Sequence, residues 1–357
     1  MSGPDWGLLS SYAGLLTLAC GSVYAGSFGS LPNAKLADGS PADEDDEEEI
    51  VERVSSEDAW LFPVLGSAAL FGLYTVIRYF GREWINWFLG CYFSLTGVMS
   101  VWKTSVSLAR LLLGPTRWKQ YDKTSIVIKK GSTSLFSLSL RTPSLLLFPL
   151  AMVPSAIYSF SKAAHKPVLI TDILSLSFSH AALSLMKIDS FQTGVVLLLG
   201  LFFYDIWWVF GTKVMVEVAT TLDVPIKLLW PKSLTFSDAR GFTMLGLGDV
   251  VVPGTFIAFA LRFDYHRALQ SKANLQRSFA KPYFYSALTA YFLGLVTTVS
   301  VLHVFETAQP ALLYLSPACI ASFFLTAFIR GEFREAWKWS DNLHSPKVAA
   351  AEEKKTN

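Results

Sequence analysis

The sequence predicts an all-α polytopic membrane protein, and three observations support this prediction. Of the 357 residues, 52% are hydrophobic and only 16% are charged, whereas soluble domains carry about 25% charged residues. The mean hydropathy is +0.40. Apolar runs of about 20 residues, long enough to cross a bilayer as a helix, recur along the chain. This composition excludes a cytosolic enzyme and a disordered protein, and the net charge of +2 argues against a nucleic-acid partner.

The apolar runs predict nine transmembrane helices in one membrane-embedded domain, 1–357. The first has no basic segment before it and is longer than the apolar part of a cleaved signal peptide, so we favour its retention. The third could extend to residue 113, because Lys103 and Arg110 interrupt an otherwise apolar run. The predicted spans are 7–29, 59–80, 84–102, 143–160, 167–186, 190–211, 241–261, 283–304 and 309–329.

The connections between the spans predict the orientation and the organisation of the chain. With the N-terminus lumenal and the C-terminus cytosolic, the cytosolic segments hold 22 of the 30 Lys and Arg residues, as the positive-inside rule requires. Helices 1–4 form an N-terminal part, 7–160, with a cytosolic connection at 30–58 that carries an acidic run at 43–49. Helices 5–9 form the part at 165–331, and a cytosolic tail follows at 332–357.

The last residues of the tail predict a location. Lys354 and Lys355 stand fourth and third from the C-terminus, respectively. This is the dilysine pattern that returns membrane proteins to the endoplasmic reticulum, and such tails are addresses and not anchors. The alternative is a solvated charged tail, to which Glu352 and Glu353 would belong. We expect a multi-pass protein of the endoplasmic reticulum membrane.

Two aspartates lie within predicted spans, where ionisable groups are costly and indicate function. Asp205 is six residues from the end of the sixth span, and Asp249 is eight residues into the seventh, at about 9 and 12 Å of helix length. Both depths are counted from the same side, so the two carboxyl groups can meet. Two carboxyl groups a few ångströms apart share one proton. One can then take a proton from water while the other polarises a peptide carbonyl, as in an aspartic protease.

Small residues and a proline accompany these aspartates. Gly246 and Gly248 flank Leu247 just before Asp249, and glycines permit close approach and local unwinding. A substrate peptide must be extended to expose its scissile bond, so a free backbone edge near the pair would serve binding. Pro310 begins the ninth span on the same side of the membrane, where a proline is tolerated. Taken singly, these features are also typical of ordinary helix packing.

In combination, the motifs resemble the signal peptide peptidase family of intramembrane aspartic proteases, which are related to presenilin. Members carry YD in the sixth span, GxGD in the seventh and PAL at the ninth. The sequence has YDIWWVFGTKVMV from Tyr204, MLGLGDVVVPG around Asp249 and QPALLYLSPACI from Gln309. The resemblance is dense over 165–331 and weaker before it. An N-terminal glycosylation sequon, common in animal members, is missing from the sequence.

The resemblance implies an aspartic endopeptidase that needs neither metal nor cofactor. Asp205 and Asp249 would be the catalytic pair. With the N-terminus lumenal, the enzyme would accept type II-oriented transmembrane segments, chiefly remnant signal peptides, from the lipid bilayer. A homo-oligomer or a degradation complex of the endoplasmic reticulum is left open. The residues implied in substrate binding are Tyr204, Gly246, Leu247, Gly248, Pro310, Ala311 and Leu312.

Two other functions are compatible with the paired aspartates, and two further features of the sequence need an interpretation. Paired intramembrane carboxylates also serve proton-coupled transporters, and a membrane chaperone or adaptor could bind helices without cutting them. We interpret Asp172, near the start of the fifth span, as an interfacial carboxylate that faces water. The long connection at 212–240 is a candidate cover or gate for the site.

Overall fold

The computed structural model describes residues 5–31, 52–130, 133–161, 167–222, 224–233, 241–271, 279–305 and 309–341. The acidic run at 43–49 and the lysines Lys354 and Lys355 lie outside these residues. Their roles therefore stay predictions.

Long helices occupy the positions of all nine predicted spans. By length and composition, seven of them are apolar enough to cross a membrane. A mainly helical, multi-pass membrane protein is thus confirmed, whereas the count of nine spans and the orientation stay predictions. The seven are α1 (Trp6–Gly29), α2 (Ser56–Phe80), α4 (Thr142–Phe160), α5 (Val168–Leu185), α6 (Phe191–Phe210), α9 (Pro282–Phe305) and α10 (Leu312–Ile329).

The other two long helices carry more charge. Helix α3 (Arg82–Lys119) continues past the predicted end at 102 and leaves helical geometry only at Gly114, whose φ is 75°. Helix α8 (Gly248–Gln270) contains two aspartates and two arginines, yet most of its side chains are buried. It packs against α1, α5, α6, α9 and α10. Because α8 is surrounded by protein and not by lipid, its charged groups can find partners inside the bundle.

Short strands at the ends of helices add three small sheets to the helical bundle. Each forms a two-stranded sheet with one partner, which pairs backbone groups that no helix satisfies. The parallel pair is β1 (Glu52–Val54) with β4 (Met186–Ile188). The antiparallel pairs are β2 (Lys123–Lys130) with β3 (Thr133–Arg141), and β5 (Lys227–Pro231) with β6 (Phe242–Gly246).

The core lies where α6, α8 and α10 meet. Phe256, Phe259 and Phe263 recur every three or four residues, so they share one face of α8. They surround the ring of Phe191 in α6, which stacks on Phe323 of α10 at 4.0 Å between centroids. Between apolar helices in lipid, such close contact and not water exclusion provides the cohesion.

Two short helices complete the set. Helix α7 (Val214–Thr221) follows α6, and helix α11 (Phe333–Lys338) follows α10.

The C-terminal residues close one end of the bundle. After α11, the chain folds back on α8. There the buried Arg262 lies 3.2 Å from the carboxylate of Asp341 and donates to the carbonyl oxygen of Ile188 at 2.9 Å. Asp341 also donates its N–H to the carbonyl of Asp189. This cluster is about 20 Å along α8 from Asp249.

Candidate active site

Helix α6 places Asp205 near its end, inside the protein. Asp205 is five residues before the last residue of α6, about 8 Å of helix length. Its side chain is only 4% exposed. Carboxylate Oδ2 accepts the backbone N–H of Leu312 at 3.1 Å. A buried carboxylate is therefore fixed to the first residue of another helix.

The Pro310-Ala311-Leu312 segment explains why the N–H of Leu312 is available to Asp205. The N–H groups of Leu313 and Tyr314 donate to the carbonyls of Pro310 and Ala311, respectively. Leu312 is the first residue of α10, so its own N–H has no acceptor within the helix. All three residues of the segment are buried. The Asp205 side chain thus satisfies an otherwise unpaired helix terminus in a buried place.

Strand β6 and the start of α8 place Asp249. The antiparallel ladder pairs Lys227 with Gly246 and continues with the N–H of Leu247, which donates to the carbonyl of Ile226 at 2.9 Å. Helix α8 begins directly afterwards, so Asp249 lies in its first turn. The positive end of the helix dipole favours a carboxylate there.

This arrangement corrects the predicted seventh span. Residues 242–246 were expected in a helix that begins at 241, with Asp249 eight residues inside it. They form β6 instead, because their backbone groups pair with β5 and because Gly246 and Gly248 are poor helix formers. The predicted depth of Asp249 along a helix is therefore wrong.

The two carboxyl groups belong to helices that pack against each other, α6 and α8. They are near enough for the charge of Asp205 to act on Asp249. Asp249 lies over Gly246, where an added Cβ would be 3.3 Å from carboxylate Oδ2. From α9, the hydroxyl of Tyr291 donates to the backbone carbonyl of Asp249 at 3.2 Å. The site is thus assembled by α6, α8, α9 and the start of α10.

The remaining predicted residues divide between the wall and the open side of this site. Tyr204 is half-buried, near enough to interact with the charge of Asp205, and its ring lies beside Gly66 of α2. Gly246 and Gly248 are exposed, and Leu247 is partly exposed. The glycines therefore leave the approach to Asp249 unobstructed by their own side chains.

Sequence reasoning missed the hairpin of β5 and β6. Its signal is the short run Ile226-Lys227-Leu228-Leu229-Trp230, bounded by prolines on both sides, a length and setting typical of a buried strand. The hairpin includes part of the connection at 212–240, for which a covering or gating role stays a prediction. Residues 234–240 lie outside the described part of the chain.

Comparison with known proteins finds the same family that the motifs resemble. A family model described as "Signal peptide peptidase" matches residues 46–342. The chain is 34% identical to the signal peptide peptidase of Homo sapiens over 98% of its own length and 88% of that protein. It is 35% identical to the signal peptide peptidase of Mus musculus, over 97% and 86% of the two chains. A probable intramembrane protease of Schizosaccharomyces pombe is 34% identical, over 82% and 85%.

Proposed function

The chain belongs to the signal peptide peptidase family, and from this we propose that it is an aspartic endopeptidase that cleaves transmembrane segments within the bilayer. The observation that carries the proposal is that Asp205, near the end of α6, lies close enough to Asp249, in the first turn of α8, for their charges to interact. We propose that the two carboxyl groups share one proton, as carboxyl groups a few ångströms apart do. Substrate and hydrolytic water complete the reaction, and no cofactor takes part.

The reaction runs as two successive pairs of coupled proton transfers. One ionised aspartate takes a proton from water while the oxygen of that water bonds to the scissile carbonyl carbon. The other, protonated aspartate gives its proton to the carbonyl oxygen, which yields a gem-diol. The first aspartate then donates its new proton to the amide nitrogen, and the C–N bond breaks. The second aspartate recovers a proton from the gem-diol, which leaves a carboxylic acid and an amine.

The free edge of β6 offers a place for an extended substrate. Leu228 and Trp230 of β5 point their backbone groups toward β6, so by alternation Met244 and Gly246 point theirs away from β5. Met244 is 60% exposed. Within the described residues, β5 is the strand that pairs with β6. A peptide added to the outer edge would form main-chain hydrogen bonds three residues from Asp249.

The other predicted residues shape this site. We assign Pro310, Ala311 and Leu312 to the wall beside Asp205, because all three are buried and Leu312 bonds its carboxylate. Tyr204 lines the side toward α2. A transmembrane substrate hides its backbone in helical hydrogen bonds, so it must unwind before it can pair with β6.

The orientation inferred from the basic residues decides which substrates fit. With the N-terminus lumenal, the ends of α6 and α8 that hold the two aspartates face the lumen. Substrates would then be type II segments, chiefly remnant signal peptides, in the membrane of the endoplasmic reticulum. Retrieval through Lys354 and Lys355 would keep the enzyme there. A homo-oligomer or a degradation complex stays open as a further partner.

The test is cleavage of a type II signal-peptide substrate by the purified, detergent-solubilised protein. Wild type is compared with Asp205→Ala and Asp249→Ala, with and without a transition-state isostere of aspartic proteases. Asp264→Asn is the matched control, because Asp264 is also a buried aspartate of α8 but bonds the N–H of Phe284 at the other end. We expect cleavage by wild type and by the control, inhibition by the isostere, and no product from the two alanine variants.

Other outcomes would identify the alternatives. Solute flux in liposomes without peptide products would indicate a proton-coupled transporter. Substrate binding that survives both alanine variants, again without products, would indicate a chaperone or adaptor. Cleavage that persists in either alanine variant would refute the aspartate pair.

A further inference from the structure

The outer edge of β5, the edge away from β6, is occupied by side chains of α5. Carboxylate Oδ1 of Asp172 accepts the N–H of Leu229 at 2.8 Å. The hydroxyl of Ser175 lies 2.9 Å from the carbonyl oxygen of Lys227 and 3.0 Å from that of Pro225, so it donates to this edge. Ser175 is fully buried. Asp172, for which the sequence predicts a carboxylate that faces water, is partly buried and bonds this strand.

These contacts match the polar groups that an edge strand leaves free. Lys227, Leu229 and Pro231 direct their backbone groups away from β6, in alternation with Leu228 and Trp230. Proline has no N–H to offer. Helix α5 satisfies the N–H of Leu229 and the carbonyl of Lys227. An extended peptide is thereby excluded from this edge, and the outer edge of β6 stays available to it.

A second helix holds the same strand from another direction. A Cβ added to Gly14 of α1 would lie 2.3 Å from the ring of Trp230 in β5, so the ring rests directly on the helix backbone. This contact limits how far β5 can approach α1. A contact between an aromatic ring and a helix backbone is not directional, so it does not fix the position of the strand along its own axis. The bond from Leu229 to Asp172 is directional and does fix that position.

We propose that Asp172 and Ser175 are positioning residues that set the register of the β5–β6 hairpin against α5. Only Leu247 separates β6 from α8, and its N–H is bonded to Ile226 beside β5. A shift of β5 is therefore transmitted to Gly246 and Asp249. The register of the hairpin thus decides which peptide bond of a substrate on β6 faces the two aspartates. The inference rests on the proposed function.

The experiment compares Asp172→Ala, Asp172→Asn and Ser175→Ala in the full-length purified protein. The amide oxygen of asparagine can still accept the N–H of Leu229, whereas alanine cannot. We expect Asp172→Ala to lower kcat/KM by about 100-fold, the effect of misplacing reacting groups by about 1 Å. We also expect it to change the cleavage positions, read from product masses. Asp172→Asn should retain the wild-type positions, and Ser175→Ala should show a smaller shift in the same direction.

Asp264→Ala is the matched control, since it also removes a carboxylate that accepts a backbone N–H. Asp264 lies about 22 Å along α8 from Asp249. The control variant should destabilise the protein without changing the cleavage positions. Unchanged product masses in Asp172→Ala, with kcat/KM within about twofold of wild type, would overturn the inference. So would an Asp172→Asn variant that behaves like the alanine variant.

A second measurement works without proteolysis. Amide hydrogen exchange at Leu229 should be faster in Asp172→Ala than in wild type and Asp172→Asn. Equal exchange in all three would overturn the anchor itself. If wild type yields no products but the exchange rates differ as expected, the proposed function fails while the anchor stands.

Discussion

The bond between Leu312 and Asp205 allows the structural and the chemical role of one residue to be separated. Replacing Asp205 by asparagine keeps an oxygen that can accept the N–H of Leu312, because the amide can rotate to present it. Replacing it by alanine removes the acceptor. Both changes remove the ionisable group. We therefore expect the two variants to be equally inactive and unequally stable.

The magnitude follows from burial. Asp205 is 4% exposed, and Leu312 begins its helix without an acceptor of its own. A buried donor left without a partner costs about 1–3 kcal/mol. Asp205→Ala should thus unfold more easily than Asp205→Asn by about 1–3 kcal/mol. Both should lose at least the factor of about 10²–10⁴ that a general acid or base contributes to the rate.

The control is the same pair of changes at Asp249. Among the described residues no hydrogen bond to its carboxyl group is found, so Asp249→Ala and Asp249→Asn should differ little in stability. Unfolding free energies can be measured in mixed micelles of rising SDS fraction, and activity by cleavage of a type II substrate. Equal stability of the two Asp205 variants would refute the role of the bond. Cleavage by Asp205→Asn would refute the chemical role of the carboxyl group.

Three further predictions concern the hairpin, the closed end of the bundle and the substrate. Gly14→Ala should destabilise the protein by about 1–3 kcal/mol through overlap with the ring of Trp230, and unfolding should show no loss for Gly21→Ala, whose added Cβ meets no atom within 4 Å. Asp341→Ala leaves the buried charge of Arg262 without its carboxylate and should cost about 3 kcal/mol in the same assay; a change below about 0.5 kcal/mol would mean that the pair contributes little. Leucine in place of helix-weakening residues of a substrate should slow cleavage, and unchanged rates would show that unwinding is not required.

Much of the fold could be predicted from the sequence because the membrane leaves few choices. A long apolar run must close its backbone hydrogen bonds within one segment, and so it becomes a helix. Each of the nine predicted spans accordingly coincides with a long helix. Helix α8, one of the two more charged helices, also coincides with a predicted span, because its run from Val250 to Leu261 is apolar. Its start was misplaced, because glycines and a paired strand compete with helix formation there.

The strands could not be predicted in the same way, because pairing depends on partners that are distant in the sequence. Residues 227–231 and 242–246 are each too short to indicate a strand reliably, and neither sequence shows that the other is its partner. Likewise, Asp172 could be noticed as a charge in a span. Its bond to Leu229, 57 residues away, depends on how α5 packs against the hairpin.

That the chain is an integral membrane protein of long helices follows from the sequence alone, and so does the unusual position of the two aspartates. The reason is local, because hydropathy and the cost of a charge in lipid act on each segment separately. Three features depend on the packed fold: Asp205 bonds the beginning of α10, Asp249 follows a strand, and α5 contacts the partner of that strand. These are relations between segments, and packing alone fixes them, since each buried polar group must find its partner wherever the fold places it.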